Sequence, residues 1–154
     1  MAKVEIFWIN RGQLLFEQAL QHYQKLLRPH MNLSIETLKP LTQSALPPLQ
    51  IRRQEGERLM GRWAGGSTVV GLSPEGRLMD SLEFSRWLDL RLADPATLVF
   101  TIGGAHGLSD EVKGRCRELI SFSPLTFSHE LCLTVLLEQL YRACSILRNH
   151  PYHK

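Results

Sequence analysis

The chain has 154 residues, 44% of them hydrophobic and 21% charged, with a net charge of +3. That length suits one domain, residues 1–154, whose core needs no disulfide or metal, and the mild charge permits an anionic partner without demanding one. No apolar run approaches the ~18 residues of a membrane span, and Lys3 and Glu5 interrupt Met1 to Asn10 too early for a secretory leader, so a soluble protein is expected.

Val4 to Ile9 is β-branched and aromatic and reads as a first strand. Leu15, Ala19, Tyr23 and Leu26 recur at helical spacing until Pro29 stops them. Leu33, Ile35 and Leu38 alternate with polar residues as a second strand, and Lys39 to Pro48 reads as a loop. A charged helix is expected from Leu49 to Trp63, closed by Gly65 and Gly66. Thr68 to Leu72 reads as a strand and Ser73 to Gly76 as a turn. Ser81 is the expected N-cap of a helix running to Leu92. Leu98 to Ile102 is a buried strand, Asp110 to Cys116 a helix, Glu118 to Phe122 a strand, and Glu130 to Leu147 the longest helix. This alternation predicts an α/β fold, a mainly parallel sheet flanked by helices.

The last helix carries two apolar stripes, Leu136-Leu140-Ala143-Leu147 and Leu133-Leu137-Tyr141-Cys144. One stripe is enough for a helix packed on a sheet. Either the helix is enclosed within the monomer, or its second stripe meets a partner, most economically a second copy of the chain. Glu138 stands four residues before Arg142, the order that favours a helical ion pair.

Ligands in open α/β sheets bind beyond the carboxyl ends of strands, which selects the loops after Leu72, Ile102 and Phe122. The second, Gly103 to Gly107, reads G-G-A-H-G, which is neither a Rossmann fingerprint nor a P-loop. Asp110 and Glu111 open the next helix and would repel phosphate, so a ligand with little negative charge suits this loop. The third, Ser121 to Ser128, alternates hydroxyl and apolar side chains, with Ser128 a natural N-cap. Its backbone groups could bind a purine walled in by Leu125 and Phe127, or it is a plain connection. The tail concentrates Arg148, His150, Tyr152, His153 and Lys154 just past the apolar helix, a mixture that suits nucleic acid. Arg52, Arg53, Arg58 and Arg62 form either a second RNA-facing patch or a solvated helix face interleaved with Glu55 and Glu57.

The odd cysteine count, with Cys116, Cys132 and Cys144 forming no C-x-x-C pair, suggests a reducing cytoplasm and buried thiols. His150 and His153 have metal-like spacing near Cys144, but no further ligand set supports them, and no metal is expected.

Four segments, I-G-G-A-H-G-L-S from Ile102, S-F-S-P-L-T-F-S-H from Ser121, E-Q-L-Y-R-A from Glu138 and the closing P-Y-H-K, resemble the RlmH family. E-G-E-R-L-M at Glu55 and E-G-R at Glu75 extend the resemblance to nearly the whole chain. These are SPOUT-class methyltransferases of large-subunit ribosomal RNA. The resemblance implies a parallel α/β sheet with a C-terminal trefoil knot, a homodimer, and S-adenosyl-L-methionine held in the knot. Carried over by motif, cofactor contacts fall on Leu72, Gly103, Gly104, Phe122, Ser123, Pro124, Leu125, Thr126 and Phe127. The implied reaction is methylation of N3 of a pseudouridine on the assembled ribosome.

N3 must lose a proton, and the candidates around that chemistry are His129, Arg142 and Tyr152. His129 could accept the proton, Arg142 could stabilise a developing anion or grip phosphate, and Tyr152 could stack on a base. Arg142, His150, Tyr152, His153 and Lys154 are the expected RNA contacts, with each site completed by the partner's tail. The chain departs from the family at Leu133, where an arginine is usual, and at Ser128, where proline is usual. A cation lost from the site would weaken substrate binding; the alternative is therefore a non-catalytic SPOUT-fold RNA-binding or ribosome-assembly protein.

Overall fold

The computed structural model describes residues 1–42 and 45–154. Along them strands and helices alternate as β1 (Lys3–Ile9), α1 (Glu17–Leu27), β2 (Asn32–Leu38), α2 (Pro48–Met60), β3 (Thr68–Leu78), α3 (Ser81–Ala93), β4 (Leu98–Ile102), α4 (Asp110–Arg115), β5 (Glu118–Ser121) and α5 (His129–Leu147). The strands form one parallel sheet in the order β2-β1-β4-β3-β5. This is the α/β architecture that the alternation predicts. The expected loop Lys39–Pro48 includes Gln43 and Ser44, which lie outside the described residues.

Side chains alternate along each strand, and the sheet is covered on both faces. Val4, Ile6 and Trp8 of β1 join Leu98, Phe100 and Ile102 of β4 under α1, α3 and α5. Phe7, Ile9, Val69 and Val99 point the other way, onto Leu59 of α2 and Val112 of α4. Each fully buried aliphatic or aromatic side chain contributes ~1.5–3 kcal/mol relative to exposure. Burial on both faces is therefore the main force holding the sheet.

Local chemistry moves several boundaries. Helix α2 starts at Pro48, because a proline at the first helical position loses no hydrogen bond there, and it ends at Met60. Asp80, not Ser81, caps α3: its carboxylate accepts from Glu83 N, and Glu83 returns a bond to Asp80 N. A carboxylate is as good a cap as a hydroxyl, and the reciprocal Glu83 closes the capping box. Ser81 is freed to donate to Gln139 at 2.8 Å. The expected turn Ser73–Gly76 is a bulge inside a longer β3: Ile120 pairs with Leu72 on one side of it and Arg77 on the other. Gly76 allows this return, since a Cβ there would lie 2.6 Å from the carbonyl carbon of Ile120.

Helix α5 packs between α1 and α3 over the sheet. Leu133, Leu136, Leu137, Leu140, Ala143 and Cys144, drawn from both stripes, are buried within the protomer. The double stripe is therefore satisfied without a second copy, because the central helix of three is enclosed on its flanks as well as its base. Leu133 is 1% exposed in this core.

Candidate active site

Strand β3 lies between β4 and β5, so the loops leaving the three carboxyl ends stand side by side. They line one cleft. Leu72 comes from β3; Gly103 and Gly104 follow β4; Phe122, Ser123, Leu125, Thr126 and Phe127 follow β5. Of the expected cofactor contacts only Pro124 does not line it.

The glycine loop is tight. A Cβ on Gly103 would lie 2.4 Å from the carbonyl carbon of Gly107, which itself has φ +78°. The Gly107 N–H donates to the Gly104 carbonyl at 3.0 Å, closing the turn. In the loop after β5 the hydroxyls serve the loop itself. Ser121 Oγ donates to the Ser123 carbonyl at 2.8 Å, and Ser123 Oγ accepts from Leu125 N at 3.0 Å. Ser128 caps α5, accepting from Leu131 N. The ligand-facing groups are consequently backbone atoms and apolar side chains, and no Lys, Arg, Asp or Glu lines the cleft. This donor set fits S-adenosyl-L-methionine, which has a purine to wall in and no phosphate to neutralise.

His129, the first residue of α5, forms the wall between this cleft and a second cavity of about 680 Å³. That cavity is lined by Asn10 from the end of β1, Glu55 from α2, and Glu130, and it shares Gly104 and Ala105 with the cleft. His129 Nε2 lies 2.9 Å from Asn10 Oδ1. Asn10 Nδ2 donates to the Gln13 carbonyl, so its amide oxygen is the atom facing the imidazole. Nε2 must then carry the proton, which leaves the Nδ1 lone pair free. Burial holds the imidazole below its usual pKa, against the opposing pull of Glu130 and Glu55. Glu130 is buried and accepts from Leu15 N at 2.9 Å and Phe16 N at 2.8 Å. It thereby satisfies the start of α1, where Phe16 offers no side-chain cap.

The remaining expected site residues lie at the far end of α5. Arg142 donates to Glu138 Oε1 from Nε and Nη2, at 3.0 and 2.6 Å. The Tyr152 hydroxyl donates to the same oxygen at 3.1 Å. The guanidinium stands 4.8 Å from the centre of the Tyr152 ring, and Nη1 donates to His153 Nδ1 at 3.2 Å. Burial, followed by hydrogen bonding to Tyr23 and Glu138, keeps the Tyr152 phenol protonated. Asn149 takes φ 55° and lets His150 N donate back to the Ser145 carbonyl, so the chain folds onto its own helix. His150 and Lys154 are exposed. Thirteen residues of helix at 1.5 Å each separate His129 from Arg142 by about 20 Å. One protomer therefore does not bring the three expected catalytic side chains together. Leu133 lines neither cavity, so its replacement of a cation removes no charge from them.

Asn10, Glu55 and Glu130 are site residues that motif reading passes over. The rule that selected the other strand ends also covers β1, whose carboxyl end carries Asn10. Burial pushes the Cys132 thiol beside the cleft up to about 12, and Cys116 and Cys144 up to about 11. Among the described residues no cluster of His, Cys, Asp or Glu is arranged to hold a metal, and no helix is long and apolar enough to cross a membrane.

A family model described as predicted SPOUT methyltransferase matches residues 2–153. The protein named ribosomal RNA large subunit methyltransferase H of Maridesulfovibrio salexigens is 40% identical over 99% of both chains. Its namesake from Nitratidesulfovibrio vulgaris strain Miyazaki F is 44% identical over 90% of this chain and 89% of its own. A solved structure of a probable methylase family protein from Haemophilus influenzae shares the fold, with TM-score 0.55 at 13% identity over 99% of this chain and 71% of that one. With the strand order, the cleft at three adjoining strand ends and a match over nearly every residue in agreement, the chain belongs to the SPOUT methyltransferase family, among the relatives named ribosomal RNA large subunit methyltransferase H.

Proposed function

We propose that this protein is a single-domain, S-adenosyl-L-methionine-dependent methyltransferase that modifies N3 of a pseudouridine in large-subunit ribosomal RNA, on the assembled ribosome in the cytoplasm. The observation that carries the reading is the junction at His129, where an uncharged cleft suited to the cofactor meets a larger cavity. The cofactor, when bound, supplies an electrophilic methyl group. Leu72, Gly103 and the run Phe122 to Phe127 hold it, with backbone atoms at the purine and apolar walls excluding water. His129 accepts the N3 proton at Nδ1, because Asn10 fixes the other nitrogen as the donor. Burial keeps that imidazole neutral and able to accept the proton.

The protein acts as a homodimer in this proposal. Arg142, Tyr152 and His153 form one preorganised cluster about 20 Å along the helix from His129, too far to serve their own protomer's site. A partner's cluster, with His150 and Lys154 beside it, supplies cations and an aromatic ring to the RNA. The return of β3 to β5 across the Ser73–Gly76 bulge is the local geometry in which a trefoil knot is expected.

Labelled S-adenosyl-L-methionine incubated with ribosomes that lack the modification tests the proposal. Label is expected in large-subunit RNA, at a nucleotide identified by methyl mapping. Cofactor binding without transfer to such ribosomes would refute it.

A further inference from the structure

The second cavity contains a buried acceptor that the fold itself does not use. Two carboxylates line it, and three of their four oxygens are occupied. Glu130 accepts from Leu15 N and Phe16 N, and Glu55 Oε2 accepts from Leu41 N at 3.0 Å. The fourth, Glu55 Oε1, is buried without a hydrogen-bond partner among the described residues, on a side chain only 3% exposed. A buried acceptor left unpaired opposes folding and is rare enough in native proteins to call for a reason. Gly104 contributes to that reason. A Cβ there would lie 3.0 Å from Oε1, so any larger residue would cover the oxygen on the side shared with both cavities.

We infer that Glu55 Oε1 is the specificity acceptor for the target base, taking the N1–H of a pseudouridine seated in this cavity. The inference rests on the methyltransferase reading above. Uridine and pseudouridine present the same N3–H and the same two carbonyls. They differ at N1, which carries the sugar in uridine and a hydrogen in pseudouridine. An enzyme that tells them apart by direct contact therefore needs an acceptor at that edge, and a carboxylate oxygen with no other partner is the strongest available. Glu55 sits across the cavity from the His129 wall, so one side chain would hold the N1 edge while the other receives the N3 proton. Discrimination of this kind is large because the wrong base leaves the site's buried polar atom unpaired.

The test compares methyl transfer to two ribosome preparations, one with pseudouridine and one with uridine at the mapped position. Wild-type protein is expected to favour pseudouridine in kcat/KM by about 10- to 100-fold, the range of one hydrogen bond to a charged group. Glu55→Gln retains the shape and a carbonyl oxygen for Leu41 N, but turns an amide donor toward N1–H. It should lose pseudouridine activity by a similar factor and leave uridine activity unchanged, so that the preference collapses. Affinity for S-adenosyl-L-methionine should stay at the wild-type value, since Glu55 does not line the cleft. Glu55→Asp, which keeps the charge but cannot reach both Leu41 N and the base, should lose the preference as well and covers failure of the first variant to fold. A wild-type enzyme that treats both bases alike, or a folded variant that retains the preference, overturns this assignment and leaves the methyltransferase reading standing. No transfer to either preparation by a cofactor-binding wild type overturns the reading itself, and this assignment with it.

Discussion

His129 and Asn10, 119 residues apart in sequence, share a hydrogen bond of 2.9 Å that fixes which imidazole nitrogen is free. His129→Asn is expected to lower kcat by about 10²–10⁴-fold, the usual worth of a general base, while S-adenosyl-L-methionine still binds. Because burial lowers the imidazole pKa, wild-type kcat should rise through a pKa below 6.5 and then level off. Single-turnover rates between pH 5 and 8 would show this; a limb centred above 6.5 would exclude a buried His129 as the base.

Arg142 and Tyr152 form one unit with Glu138, remote from the His129 of their own chain. In a dimer whose sites draw on both protomers, His129→Ala and Tyr152→Ala should each be inactive alone. Mixed and re-associated in equal amounts, they should regain about a quarter of wild-type activity, because half the dimers are hybrids and each hybrid has one intact site. Mixtures as inactive as their components would place both residues in one site or outside catalysis.

Gly103→Ala would set a methyl 2.4 Å from the Gly107 carbonyl carbon, where only backbone displacement relieves the clash. Cofactor affinity is expected to fall at least 10-fold by calorimetry, with the helices unchanged by circular dichroism. Gly114→Ala, whose Cβ would meet nothing within 4 Å, serves as the control.

Glu130 closes the start of α1 from another helix, through two charge-assisted hydrogen bonds. Glu130→Ala leaves two N–H groups without their acceptor and should cost about 3 kcal/mol. At about 2–4 °C per kcal/mol for a domain of this size, Tm should drop by roughly 6–12 °C.

His30 and His129 both bind their protons less readily folded than unfolded, His30 through burial and then the nearby charges of Arg148 and His150. Their contribution to stability is full above the ordinary pKa of 6.5 and is lost as the pH falls from there through the lowered folded values. Thermal melts should therefore show Tm declining below pH 6.5, with a shallower decline in His30→Asn.

The sequence by itself determined what near neighbours decide. Period-two runs such as Val4 to Ile9 marked strands, Ser128 was readable as a cap because its partner is three residues away, and Glu138 was readable beside Arg142 because one helical turn joins them. The recurring segments identified the family and the loops of the cleft. Only the tertiary structure decided that both stripes of α5 are enclosed by α1 and α3, that Leu133 belongs to the core, and that His129 and Arg142 stand apart. It alone placed Asn10, Glu55 and Glu130 around the second cavity. Their partners come from distant parts of the chain or from backbone groups with no sequence signature. What unites them is the strand order, which sets the carboxyl ends of β1, β4, β3 and β5 side by side and is fixed by burial on both faces of the sheet rather than by any local pattern.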